Sequence, residues 1–192
     1  FVKRAVENYN LKKQNNEYES KLFSSYDLIG NSKNITTIND QIKKISVTES
    51  RIFINGPSGS GKELIARKIH KNSSRNKNSF IILNGALLDS TKYELELFGE
   101  EKENGLISFG ALEKANKGTL LIDHISEIPL DIQSKILRVL IDQKFKRING
   151  TQDINVDVRL ICSSNSDLKK EILNGNFRED LFHRINVFEI NI

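Results

Sequence analysis

Gly56, Pro57, Ser58, Gly59, Ser60, Gly61, Lys62 and Glu63 combine glycines, hydroxyls and a lysine at the spacing that binds phosphate. Glycines permit backbone geometries that turn consecutive N–H groups inward on an anion. A helix opening after the loop adds its positive N-terminal end, and Lys62 supplies a mobile charge for β and γ phosphates. The generic pattern has Ser or Thr after the lysine to contact magnesium, and Glu63 stands there instead. A chance glycine-rich turn is the competing reading, and the strand before and helix after it weigh against that. An ATPase also needs an acid at the end of a neighbouring strand to hold the magnesium shell. Leu120–Asp123 ends in one. A glutamate that polarises the attacking water usually follows, whereas this chain has His124. A lone aspartate at a strand end is more often a cap, but its pairing with the loop makes Asp123 a candidate Mg2+ residue, with ATP or ADP as the ligand.

These residues need a scaffold, and the apolar pattern supplies one. Arg51–Asn55 reads as a strand feeding the glycine loop, and Glu63–Lys71 as the helix leaving it. Strands follow at Phe80–Asn84, Thr119–Asp123, Val158–Cys162 and Val187–Ile192, and helices at Ser90–Phe98, Leu130–Asp142 and Asp167–Leu173. Strands spaced by helices predict an α/β fold with a parallel sheet between two helical layers. Residues 1–23 differ. Val2, Val6 and Tyr9 share one helical stripe and Leu11, Tyr18 and Leu22 an offset one, which predicts an amphipathic linker helix. It either pairs with a second chain as a short coiled coil, despite Asn15 in the stripe, or stays a solvated linker. The division is therefore a linker over 1–23 and a nucleotide-binding domain over 24–192.

The chain has 192 residues, one cysteine, no methionine and a net charge of +4. That charge is too small to argue for nucleic acid by itself. Apolar runs of at most four residues, as in Phe80–Leu83, leave no membrane-spanning helix. A single cysteine excludes an internal disulfide framework and makes the reducing cytoplasm the expected compartment. Lacking methionine and starting at Phe1, the chain is expected to be an internal piece of a longer protein. The histidines and Cys162 have no metal-ligand spacing. Cys162 reads as a core residue, and His183 as a surface or interface residue. His70 reads as a partly charged imidazole at a helix C-terminus. The Lys144–Arg147 stretch fits a solvated hairpin strand better than a nucleic-acid patch.

GPSGSGKE, the LFG at Leu97–Gly99, GTLLID, IPLDIQSKILRVL, VDVRLICSSNSDL and FREDLFHRINV together resemble the AAA+ ATPase domain of bacterial enhancer-binding proteins, the activators of sigma-54 RNA polymerase. The resemblance runs from Leu28 to Ile192. KILRVLIDQKFKRING and the preceding GALEKA look most similar to NtrX-type nitrogen-regulation response regulators, and residues 1–17 to the helix joining receiver and ATPase in such proteins. The resemblance implies a P-loop NTPase α/β subdomain whose helical lid would follow Ile192. It also implies a sensor histidine kinase acting through a receiver, DNA met through a helix-turn-helix domain, and self-association as a dimer or ring. Among site residues, Asn84 matches a polar switch residue, Asn165 the first sensor of the γ-phosphate, and Arg178 and Arg184 arginine fingers presented to a neighbour's ATP. Local pairing of Arg178 with Glu179 or Asp180 is the competing explanation.

Two departures shape the functional expectation. Between the LFG and the magnesium strand such activators carry a GAFTGA loop. Here Glu100–Gly110 is shorter and lacks it, as in the NtrX-like branch. His124 replaces the water-polarising glutamate, so Asn84 loses its usual partner, and Glu127 is a weaker candidate base. The expectation is an ATP-binding regulatory domain with weak or no hydrolysis and no direct sigma-54 activation. The alternative is an active oligomeric ATPase driving sigma-54-dependent transcription. A metabolic nucleotide kinase sharing only the phosphate loop is disfavoured by the LFG and FREDLFHR elements.

Overall fold

A computed structural model describes residue 28, residue 30, residues 32–87 and residues 90–192. The linker helix expected over residues 1–23 lies outside the described residues. Five strands, β1 (Ile52–Asn55), β2 (Phe80–Asn84), β5 (Thr119–Asp123), β8 (Arg159–Ser164) and β9 (Phe188–Asn191), form one sheet in the order β2-β5-β8-β1-β9. Every neighbouring pair in it is parallel. All five carboxyl ends therefore share one edge.

Alternation along the strands divides the core into two layers. Ile52, Ile54, Leu121, Ile161 and Ile190 face α1 (Lys33–Ser46) and α2 (Lys62–Lys71), where Ile38, Ile42, Ile45, Ile65 and Ile69 complete the layer. Phe53, Leu120, Ile122, Leu160 and Cys162 face the other way. There they meet side chains of α3 (Ser90–Phe98), α4 (Ala111–Lys114), α5 (Leu130–Asp142), α6 (Leu168–Leu173) and α7 (Glu179–Ile185). Each Leu or Ile so buried contributes about 1.5–3 kcal/mol. The result is the helix–sheet–helix sandwich that the sequence predicts.

Several elements go beyond that prediction. Helix α1 begins at Ser32, whose hydroxyl accepts from the Ile35 N–H at 3.3 Å. It ends against Arg159, a side chain only 2% exposed that donates to the Ile45 and Ser46 carbonyls at 2.8 and 3.1 Å. These bonds satisfy carbonyls that a helix end leaves open. Strand β8 continues past the apolar run through Ser163 and Ser164. Where the GAFTGA loop would be expected, β3 (Gly99–Glu101) and β4 (Ile107–Phe109) form a short antiparallel hairpin. A second hairpin pairs β6 (Lys144–Phe145) with β7 (Ile154–Asn155). The two are stitched together by Glu101 N–H donating to Ile148 O and Ile148 N–H to Gly99 O, both at 3.0 Å. Gly99 has φ +75, and a Cβ there would lie 2.2 Å from the Ser108 carbonyl, so the stem needs glycine.

Two expectations change. Lys144 is exposed on its hairpin and pairs with Asp153 at 2.9 Å, but Arg147 is not part of a solvated patch. Its guanidinium is held by Glu113 at 2.6 and 2.7 Å and by Glu101 at 2.8 Å, and lies 5.4 Å over the Phe109 ring. The bonds to Glu113 above all, and then Glu101, keep its proton more tightly held than usual. His70 is not a charged cap either. It is 3% exposed, its Nδ1 sits 2.8 Å from the Thr119 hydroxyl, and burial pushes its pKa down. Cys162 is fully buried as expected, and that burial raises its thiol pKa. Among the described residues, no helix is long and apolar enough to cross a membrane.

Candidate functional site

The phosphate loop follows β1 directly and opens α2. Gly59 and Gly61 take φ +76 and +93, left-handed values that an L side chain rarely adopts. Gly61 is the N-cap of α2 and no side chain caps that helix, so its first N–H groups face the loop without a side-chain acceptor. A Cβ built at Gly59 meets nothing within 4 Å, which leaves open space over the loop. Lys62 is 6% exposed and its ammonium donates to the Gly56 and Pro57 carbonyls, both at 2.9 Å. The buried Ser60 hydroxyl has no partner among the described residues. Uncapped N–H groups, an idle hydroxyl and a lysine parked on carbonyls together fit a polyphosphate. Glu63 points elsewhere, 2.7 Å from Arg67 one turn on.

Strand β8 runs between β1 and β5 and brings its polar end to the same edge. Gly56 N–H donates to the Ser164 carbonyl at 3.2 Å, which fixes the start of the loop to β8. Asp123, at the end of β5, accepts at Oδ1 from the Ser163 hydroxyl and from the His124 N–H at 3.1 Å. His124 then turns left-handed with φ +55, and its Nε2 lies 3.7 Å from Asp123 Oδ2. Its carbonyl accepts the Glu127 N–H at 3.0 Å, closing the turn Ile125–Glu127 that leads to Pro129. Glu127 is thus a turn residue and exposed. No group of three or more His, Cys, Asp or Glu side chains able to hold a metal occurs among the described residues. A single carboxylate remains, which suits an ion that keeps most of its water and shares phosphate oxygens.

Asn84 ends β2 in register with Asp123, and its side-chain carbonyl accepts the Ala86 N–H at 3.0 Å. The next residue, Gly85, packs so close to the His124 turn that a Cβ would lie 2.5 Å from the His124 carbonyl oxygen. Tyr93, 2% exposed, donates to the Gly85 carbonyl and lies 3.3 Å from the Glu127 carbonyl. Asn165 directly follows β8, is exposed, and lies 3.5 Å through Oδ1 from the Ser166 hydroxyl. The structure therefore gathers the loop, Asp123, His124, Asn84 and Asn165 along the carboxyl edge of the sheet.

The two arginines lie at the two ends of α7. Arg178 is its N-cap and Arg184 lies in its last turn, both exposed. Arg178 forms a bidentate pair with Asp180, at 2.9 and 2.6 Å, the local pairing that the sequence offers as an alternative. Arg184 is close enough to lower the Arg51 pKa, after burial, and Arg51 precedes β1 at the end opposite the phosphate loop. Sequence reasoning missed Ser163, Tyr93 and Gly85. For Ser163 a signal existed: hydroxyl residues ending an otherwise apolar strand.

The pattern of the Sigma-54 interaction domain family matches residues 28–191. The nitrogen assimilation regulatory protein NtrX of Azorhizobium caulinodans is 41% identical over 193 residues, covering 100% of this chain and 42% of that protein. The regulatory protein AtoC of Escherichia coli K12 is 42% identical over 99% of this chain and 43% of its own length. The chain thus spans less than half the length of these relatives. Crystal structures of NtrX from Brucella abortus superpose over the whole chain and 43% of theirs. The ADP complex gives a TM-score of 0.88 at 41% identity, and the ATP complex 0.87 at 42%. The P-loop NTPase domain of a sigma-54 activator from Escherichia coli shares the fold, with a TM-score of 0.59 at 18% identity over 85% of this chain and 96% of that one.

Proposed function

We propose, since the chain belongs to the Sigma-54 interaction domain family, that it is the central ATP-binding AAA+ domain of an NtrX-like two-component response regulator controlling transcription. On this reading it hydrolyses ATP weakly or not at all and does not activate sigma-54 polymerase directly. The observation that carries the reading is His124, a ring fixed in a left-handed turn where the water-polarising carboxylate would stand.

The ADP and ATP complexes of Brucella abortus NtrX support the same ligands here. The N–H groups opening α2 would receive the phosphates, and Lys62 would exchange the Gly56 and Pro57 carbonyls for phosphate oxygens. Ser60 supplies one more donor. Asp123 would bind magnesium through its shell, with Ser163 and the His124 N–H holding the carboxylate in place. Magnesium, when bound, supplies charge neutralisation between the phosphates. His124 replaces a flexible carboxylate by a rigid ring that already faces Asp123 at 3.7 Å. Loss of general-base assistance costs about a hundredfold or more in rate. Asn84, engaged with Ala86, and Asn165 line the γ-phosphate side. The short hairpin between Gly99 and Phe109, in place of a GAFTGA loop, supports the absence of direct polymerase remodelling.

Arg178 and Arg184 are assigned to a neighbour's nucleotide in a self-associated form, and their exposure at the two ends of α7 supports this. Residues 1–23 would join the domain to a receiver that answers a histidine kinase, and a helix-turn-helix domain would meet DNA, all in the cytoplasm. The second reading, an active ring ATPase driving sigma-54-dependent transcription, draws on the intact loop, Asp123, Asn165 and both arginines. Steady-state phosphate release separates the two, measured on the intact native protein beside His124→Glu over a range of protein concentrations, with ATP binding verified in both. Turnover by His124→Glu alone is the expected result. Equal turnover by the native protein refutes it.

A further inference from the structure

Gln133 lies in the first turn of α5 with 0% exposure, next to the buried Ile132 and one turn from Ile136. An amide in such a place is costly unless its polar atoms are paired. All its partners are backbone groups of other segments. Nε2 donates to the Ile128 carbonyl at 2.7 Å and to the Asn176 carbonyl at 3.0 Å, and Oε1 accepts the Arg178 N–H at 2.9 Å. Ile128 closes the turn that starts at His124, and Arg178 starts α7. Between these segments lies a polar groove of about 450 Å³, with residues 126–130 on one wall and Ser166, Glu171 and Asn176 on the other. Gln133 ties the two walls together.

Ser134 acts on the side chain of the same arginine. Its hydroxyl accepts from Arg178 Nη1 at 3.1 Å while donating to the Leu130 carbonyl at 2.9 Å. The pair with Asp180 is exposed on both sides, 41% and 49%, and is therefore weak. The guanidinium can leave Asp180 while its backbone stays fixed by Gln133.

We propose that Gln133 and Ser134 are positioning residues for Arg178. Gln133 couples the backbone of the finger to the turn behind His124, and Ser134 aims the guanidinium at the nucleotide of a second copy of this chain. The proposal rests on the reading of Arg178 as a finger. A loop that shifts when Asp123 and His124 meet nucleotide would thereby move the finger offered to the neighbour.

The test is ATP-dependent self-association of the intact protein by sedimentation velocity, with a fluorescent ATP analogue titrated at dilute protein as control. Gln133→Met should weaken self-association about tenfold, the scale of one well-placed hydrogen bond. Dilute nucleotide affinity should stay unchanged, and Gln133→Met with Arg178→Ala should be no weaker than Arg178→Ala alone. Unchanged self-association in Gln133→Met, effects that add to those of Arg178→Ala, or loss of nucleotide binding at dilute protein would each overturn the proposal. If Gln133→Met does not fold, Ser134→Ala decides: weakening not additive with Arg178→Ala supports it, and no change overturns it. If Arg178→Ala itself leaves self-association intact, the finger reading fails and takes the proposal with it. If Arg178→Ala weakens assembly and the other variants do not, the proposal alone fails.

Discussion

Lowering the pH should destabilise the fold through His70 before the carboxylates titrate. The imidazole packs 5.2 Å from the Phe80 ring, against Thr119, with Arg159 and Arg67 near enough to disfavour a third positive charge. Burial is the largest cause of its lowered pKa, and a hydrogen bond with the Asn78 backbone opposes it only in part. In the unfolded chain His70 titrates near the ordinary value of about 6.5. As the pH falls through that value the unfolded state binds a proton that the folded state refuses, so stability is lost on the acid side. The slope reaches at most about 1.4 kcal/mol per pH unit and ends once the folded-state pKa is passed. For a domain of this size each kcal/mol moves the melting temperature by about 3 °C. Urea unfolding from about pH 7.5 down to about pH 5.5 would measure it. His70→Gln serves as reference, since it keeps a hydrogen-bonding group and removes the titration. Native stability should fall relative to His70→Gln across that window. A difference that is flat or rises with acidity refutes the reasoning.

Two further outcomes follow from the site. Lys62→Ala removes the ammonium proposed to meet the phosphates, and nucleotide affinity by fluorescence titration should drop about 10- to 100-fold. Gly85→Ala drives a Cβ to 2.5 Å from the His124 carbonyl and 3.0 Å from that of Asp123, both backbone atoms. It should cost about 1–3 kcal/mol in thermal unfolding and weaken nucleotide binding by displacing the Asp123–His124 turn.

What the sequence shows depends on how local the cause is. Strands β2 and β5 and helices α3 and α5 start and stop at the expected residues, because apolar runs and stripes are visible within a few residues. Helix α1 has Ile35, Ile38, Ile42 and Ile45 at helical spacing and Ser32 as cap, but Lys, Asn and Thr between them thin the signal. The phosphate loop and Asp123 are legible because their spacing is itself the chemistry. His70, Arg147 and Gln133 are not. Their deciding partners Thr119, Glu113 and Arg178 lie 49, 34 and 45 residues away, and only the packed sheet brings them together.

The hairpin stem at Gly99–Glu101 and Ile107–Phe109 is fixed from below by Ile148 and Arg147, while its tip is closed by its own bond from the Lys102 N–H to the Leu106 carbonyl at 2.9 Å. Closing a loop costs only about 0.6 kcal/mol more for each doubling of its length. Such a stem is a socket that accepts inserts of different length while the phosphate edge of the sheet stays unchanged. The length of that insert can then vary without disturbing the parallel sheet beneath it.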